Sequence, residues 1–307
     1  MKNIINYYYS MYPIEIFESN SLYFFDYNDS KYIFVIYNRP EQDIKSLYEL
    51  NKTLLGKDML VNEIVVNNDN QIITNVNNQK YILLKININI NSLINTYDLY
   101  SFINKTIDLK TDDILDRTNW VTLWESKNDY YENQLEELIG NYKIINSYLN
   151  YYIGLAENAI LYLKNNFNNY QDIRVSICHK RVRYNEKAYM FYNPMELICD
   201  YFIRDISEYV KSIFFISHEK AFNYVISFFN TFNPNYKEAQ LFYARLLYPS
   251  YFFDIYDDVI NGIKKEDEVE KIITQSSSYE TFLLNVYLYI SRFYNKPFDS
   301  ITWINKH

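Results

Sequence analysis

The chain has 307 residues, a formal net charge of −8 at pH 7, and 35 tyrosines and 20 phenylalanines. Its acidic excess argues against nucleic acid or an anionic membrane surface as a partner, because both are bound through Lys and Arg. No run of 18 apolar residues occurs and the N-terminus has no basic-then-apolar leader, so we expect neither a membrane span nor a secretion signal.

The N-terminal part of the chain predicts strands around one helix. Two aromatic and β-branched runs, at 22–27 and 32–37, flank an Asn-Asp-Ser turn and predict a hairpin. Pro40 opens a predicted helix that continues to about Leu55. Further strands are predicted at 63–66, 72–76 and 81–86.

From about Ser92 onward the pattern becomes helical. Tyr148 to Leu163 present one apolar helix face, and further helices are predicted around 206–213, 238–247 and 280–294. The acidic run at 254–258 is interpreted as a solvated helix start rather than a cation site.

The two cysteines, Cys178 and Cys199, form no C-x-x-C motif. A Cys/His metal site that included His179 would need two further ligands, and none is evident. We therefore expect buried free thiols, which suit a reducing cytoplasm, and no metal site.

Several ordered stretches from about Trp120 to Tyr256 resemble one family. They are NWVTLWE from Asn119, YYIGLAENAI from Tyr151, ICHKR from Ile177, DYFIRDISE from Asp200 and ARLLYP from Ala244. In these stretches the chain resembles the YutH-type spore coat proteins, a CotS-like group with the fold of aminoglycoside and choline phosphotransferases. The N-terminal residues match only in pattern: a hairpin, a helix, then further strands.

The resemblance implies an α+β, two-lobed, protein-kinase-like fold. A small β-rich lobe of the five-stranded type is expected at 1–91, and a larger, mainly helical lobe at 92–307, as one structural unit. The Asn-rich segment 87–95 is interpreted as the hinge between these lobes.

The resemblance also places a catalytic loop directly after a strand at 174–178. Kinases of this fold carry H-G-D-x-x-x-x-N there, so His179 is retained, Arg181 replaces the catalytic Asp, and Glu186 replaces the Asn. Phosphoryl transfer needs a base or positioning Asp, metal ligands and donors to the phosphates. An arginine is a permanent cation and accepts no proton.

The metal-binding Asp is also missing from its expected place. In kinases of the fold that the resemblance implies, a hairpin follows the catalytic loop, and the metal-binding Asp lies between that hairpin and the acid of the next helix. Counting back from Asp205 as that acid, the metal position falls near 193–195, where no acid stands. Glu196 and Asp200 are the nearest acids, so Asp200 and Asp205 are interpreted as vestigial positions.

The predicted small lobe lacks phosphate donors as well. The strand at 32–37 contains no lysine, Lys31 lies just before it, and no glycine precedes Gly56. The glycine-rich loop and the strand lysine of kinases are therefore both absent.

Three residues around the loop each have a structural and a functional interpretation. His179 is expected to brace the loop rather than to act chemically. Arg181 is expected to pair with Asp200 or Glu196, because an unpaired buried charge is costly, although it could instead bind an anion. Asp205 is expected to cap or brace the loop backbone.

The resemblance implies a structural or assembly protein of the endospore coat, made in the cytoplasm and then incorporated into the coat, with other coat proteins as partners. The residue losses predict a degenerate kinase without a cofactor. One alternative is an active phosphotransferase that uses ATP and Mg²⁺ on a small hydroxyl or amine, with Glu186, Glu196 or Asp200 in shifted roles. The other is a pseudokinase that binds a nucleotide or metabolite and switches a partner.

The abundance of tyrosine also has two interpretations. Asn, Ile and Lys are abundant as well, and all have A/T-rich codons, which favours genome composition as the cause. Alternatively, surface tyrosines mediate assembly or cross-linking, because Tyr gives contact area at low entropic cost.

Overall fold

A computed structural model of the chain describes residues 1–19, 21–109, 111–137, 142–167, 169–299 and 301. Backbone proximity separates two compact units. Unit 1 comprises Met1–Asp116, Ser176–Arg181 and Asn185–Asp200, and unit 2 comprises Arg117–Val175, Val182–Tyr184 and the chain from Tyr201 onward. The division into lobes at 91/92 stays a prediction.

The strands are β1 (Phe17–Ser19), β2 (Leu22–Tyr27), β3 (Ser30–Ile36), β4 (Glu63–Val65), β5 (Thr74–Val76), β6 (Gln79–Ile86), β7 (Val175–His179) and β8 (Leu197–Tyr201). The helices are α1 (Lys2–Tyr9), α2 (Asp43–Gly56), α3 (Thr96–Thr106), α4 (Trp120–Glu137), α5 (Lys143–Asn166), α6 (Ala188–Phe191), α7 (Ile203–Phe214), α8 (His218–Phe232), α9 (Tyr236–Leu247), α10 (Ser250–Ile260), α11 (Glu270–Ile273) and α12 (Ser276–Phe293).

Unit 1 is built on a six-stranded antiparallel sheet with the order β1-β2-β3-β6-β4, in which β5 also pairs with β6. Asn28 and Asp29 turn β2 into β3 with positive φ angles of 46° and 58°, a conformation that Asn and Asp tolerate best after Gly. The predicted hairpin is confirmed. The sheet has six strands where five were expected, because the three-residue β1 is too short to show an alternating pattern.

The core of unit 1 lies between α1 and the sheet. Tyr9 meets Phe34 edge-on at a ring-centroid distance of 6.1 Å, and Phe34 stacks on Tyr81 at 4.7 Å. Ile5 and Leu83 are buried in the same cluster. Each such side chain contributes about 1.5–3 kcal/mol when it is fully buried, so the aromatic run of β3 anchors α1.

Unit 2 is mainly helical, and its long predicted helices are confirmed as α5, α7, α9 and α12. The interpretation of 254–258 as a helix start is wrong, because those residues lie within α10. That helix begins at Ser250, directly after Pro249, whose ring cannot continue a preceding helix. The acidic residues therefore follow an aromatic first turn.

Many tyrosines of both units belong to the interior. Burial raises the pKa of Tyr9 and of Tyr152 to about 12. Tyr7, Tyr12 and Tyr97 are instead largely exposed. Core packing thus accounts for part of the tyrosine content. Among the described residues, no helix is long and apolar enough to cross a membrane.

Candidate functional site

The candidate site surrounds the β7–β8 pair. The Lys180 amide donates to the carbonyl of Glu196 at 2.8 Å, so the ladder continues past the end of β7. Residues 185–200, here called the loop segment, include α6 and end in β8. The place where the resemblance predicts a hairpin therefore contains a short helix and a turn.

His179 closes β7 and is almost fully buried. Its ring stacks on Phe191 at 4.2 Å and lies 4.8 Å from the ring of Phe102. This apolar enclosure supports a bracing role for the imidazole.

The two cations after His179 have different surroundings. The Lys180 ammonium lies 3.9 Å from the Glu196 carboxylate, and both side chains are about one-third exposed. The half-buried Arg181 donates from a terminal guanidinium nitrogen to the Lys180 carbonyl at 2.8 Å. The pairing of Arg181 with Asp200 or Glu196 stays a prediction.

The position of Glu186 is fixed by its backbone. Its carbonyl accepts from the Ile94 amide at 3.0 Å, and the Ala188 amide donates to the Ser92 carbonyl at 2.9 Å. The Asn-rich segment predicted as a hinge thus pairs, within unit 1, with the start of the loop segment. Its role as a hinge stays a prediction.

A second buried connection holds α6. The Asn62 side chain donates from Nδ2 to the Tyr189 carbonyl at 2.8 Å. The backbone N–H of Asn62 donates to the Tyr192 carbonyl at 2.9 Å. The Tyr189 ring meets Phe24 of β2 edge-on at 5.5 Å. The loop segment therefore contacts the sheet through the Tyr189 ring.

The acids that the sequence analysis identified lie in different elements. Residues 193–195 fall in a turn before β8, in which the Met195 amide donates to Asn193 Oδ1 at 3.0 Å. Asp200 lies within β8 and is fully buried in unit 1. Asp205 is buried in the first turn of α7, in unit 2. The first acid that follows the turn is therefore Asp200.

Two findings concern the groups that could bind a metal ion or a phosphate. Among the described residues, no group of three or more His, Cys, Asp or Glu side chains is arranged to hold a metal ion. Lys31, the lysine nearest the expected strand position, is paired with Asp26 across the hairpin at 3.0 Å, and both side chains are well exposed.

Arg39 was missed by the sequence reasoning. It follows β3, and its guanidinium forms a buried ion pair with Asp43 in the first turn of α2 at 2.9 Å. The i,i+4 spacing of an Arg and an Asp around Pro40 was the visible signal.

Comparison with solved structures defines the class. An aminoglycoside phosphotransferase from Alicyclobacillus acidocaldarius matches with a TM-score of 0.64 at 10% identity, covering 92% of this chain and 94% of that one. An amicoumacin kinase, solved with AMP-PNP and Ca²⁺, matches with a TM-score of 0.57 at 13% identity, covering 97% and 94%. The fold is that of the aminoglycoside phosphotransferase-like kinases, as predicted.

The family follows from the sequence. The family described as "Spore coat putative kinase YutH" matches residues 2–286, and the chain belongs to it. The endospore coat-associated protein YutH of Bacillus subtilis (strain 168) is 24% identical over 210 residues. That match spans 61% of this chain and only 61% of the relative's length. The predicted resemblance is confirmed.

Proposed function

We propose that this protein is a structural or assembly component of the endospore coat, on a kinase-like fold that no longer transfers phosphate. The observation that carries the proposal is Arg181, which stands two residues after the end of β7, where the resemblance expects the catalytic Asp. Membership of the spore coat family supports synthesis in the cytoplasm followed by incorporation into the coat. Other coat proteins are the partners that this role implies.

The chemistry of Arg181 opposes catalysis. A hydroxyl nucleophile needs an acceptor for its proton, and a guanidinium, which stays protonated and has no free lone pair to accept it, cannot serve. Glu186 follows Arg181 by five residues in sequence and Asp200 is fully buried, so neither stands where the resemblance expects the catalytic Asp.

The contacts of the loop segment support the same conclusion. Tyr189 packs on Phe24, and Asn62 holds the carbonyls of Tyr189 and Tyr192. The loop segment is thus held in unit 1 by a ring contact to β2 and by the hydrogen bonds of Asn62. A nucleotide that entered between the loop segment and β2 would have to displace this ring contact and these hydrogen bonds.

A second candidate is a nucleotide-binding or active phosphotransferase. The place of Asp200 near the end of β8 favours it, because an acid after the catalytic loop holds Mg²⁺ in kinases. The related structures named as phosphotransferases and kinases favour it too. It requires ATP turnover that depends on Glu186 or Asp200.

Fractionation of spores tests the coat role. A tagged chain produced in sporulating Bacillus subtilis is expected in the extracted coat fraction. Glu186→Ala, which removes the candidate metal ligand from a half-buried site, is expected in that fraction at the same level. Retention of the wild-type chain in the mother-cell lysate would contradict the coat role. A loss of Glu186→Ala alone would indicate that incorporation depends on the loop chemistry.

A further inference from the structure

Arg39 is a buried cation that joins α2 to the loop segment. Its side chain is 3% exposed and that of Asp43 is 2% exposed. Nε and one terminal nitrogen donate to Asp43 Oδ2 at 3.0 and 2.9 Å. The other terminal nitrogen donates to the carbonyls of Met195 and Leu197 at 3.1 and 2.7 Å.

These bonds use the guanidinium almost completely. Of its five N–H donors, four have partners within unit 1. The Met195 and Leu197 carbonyls flank the start of β8, the strand that contains Asp200. Without Arg39, a buried carboxylate and these carbonyls would lose charge-assisted hydrogen bonds.

A second set of hydrogen bonds links α2 to the region of α6 in the loop segment. The Asn51 side chain, also in α2, donates to the Asn62 carbonyl at 2.8 Å and accepts from the Ile64 amide at 3.0 Å. Asn62 in turn binds the carbonyls of Tyr189 and Tyr192. Helix α2 is therefore connected to the loop segment at two places.

We propose that Arg39 is a positioning residue that acts as a latch, fixing β8 and Asp200 to the first turn of α2. In kinases of this fold a cation of the small lobe reaches the nucleotide phosphates. Here the cation that follows β3 is committed to the backbone of the protein itself. As a result, the first turn of α2 and the start of β8 unfold locally in one shared opening event rather than in two independent ones. This role of Arg39 does not depend on whether the chain turns over ATP.

Hydrogen–deuterium exchange of the full chain tests the latch. In Arg39→Met, the amides of residues 197–201 and those of the first two turns of α2 are expected to exchange at least tenfold faster. The β2–β3 hairpin is expected to keep its rate. The matched control is Lys52→Met in the same helix, which removes an exposed ion pair with Glu49 and is expected to change neither region.

Arg39→Lys separates the two halves of the latch. A lysine keeps the charge beside Asp43 but cannot reproduce the planar fork that also reaches the carbonyls. Exchange is expected to rise at 197–201 more than in α2. Unchanged exchange in Arg39→Met, or an equal rise throughout unit 1, would overturn the proposal. If Arg39→Met fails to fold, the exchange rates of Arg39→Lys decide. An equal rise in exchange throughout unit 1 of Arg39→Lys would then overturn the proposal as well.

Discussion

Replacement of Glu208 by alanine is expected to lower the free energy of unfolding of unit 2 by about 3–5 kcal/mol, because it breaks a buried ion network. Glu208 Oε1 accepts from the Lys211 ammonium at 2.8 Å and from Arg245 Nε at 2.7 Å, and all three side chains are nearly inaccessible. Ser250 donates to Glu208 Oε2 at 2.9 Å. The variant would leave two buried cations without this carboxylate.

Tryptophan fluorescence during urea unfolding measures this effect. Trp120 and Trp124 lie in unit 2, and the Arg245 guanidinium is 5.2 and 5.7 Å from their ring centroids. The control is Glu125→Ala, which removes an ion pair with Lys164 in which both side chains are more than 40% exposed. That change is expected to cost at most about 1 kcal/mol. Equal midpoints for Glu208→Ala and Glu125→Ala would contradict the network.

Replacement of Phe191 by alanine is expected to cost about 3–5 kcal/mol in unit 1, through lost burial and a residual cavity. Phe191 is 1% exposed. The centroid of its ring lies 4.2 Å from that of His179, 4.9 Å from that of Tyr192 and 5.5 Å from that of Phe102. The variant therefore removes the side chain on which the buried imidazole stacks.

Exchange rates of the amides in β7 and in the loop segment report the cost of this variant, because the tryptophans described lie in unit 2. Tyr97→Ala, at a residue of unit 1 that is 78% exposed, is the control and is expected to stay within about 0.5 kcal/mol of wild type. Phe191→Leu is expected to recover part of the loss, because it refills most of the volume. A cost for Phe191→Ala no larger than that of the control would show that the packing around His179 is loose.

Local signals in the sequence predicted much of the fold. The hairpin of β2 and β3 was visible because two aromatic and β-branched runs flank a turn that only a few residue types favour. The helix α5 was visible because its apolar face repeats over many turns. The strand predicted at 174–178 is β7, displaced by a single residue.

The contacts that shape the candidate site were not visible in the same way. Arg39 binds carbonyls 156 and 158 residues away, and no local pattern marks such partners. The metal position was expected at 193–195 by counting back from Asp205, which assumes a hairpin of standard length. In the structure, residues 193–195 belong to the turn that leads into β8. The first acid after that turn is Asp200, which lies closer to Asp205 than the count assumed.

The absence of a functional nucleotide site is the central claim, and thermal unfolding with and without millimolar ATP and Mg²⁺ tests it most directly. A ligand that binds only the native state at 100 times its Kd adds about 2.7 kcal/mol, which is several degrees for most domains. An active aminoglycoside phosphotransferase measured in parallel is the positive control. We predict no resolvable shift for this chain. A Mg²⁺-dependent rise of several degrees would show that the fold still holds a nucleotide and would contradict the claim.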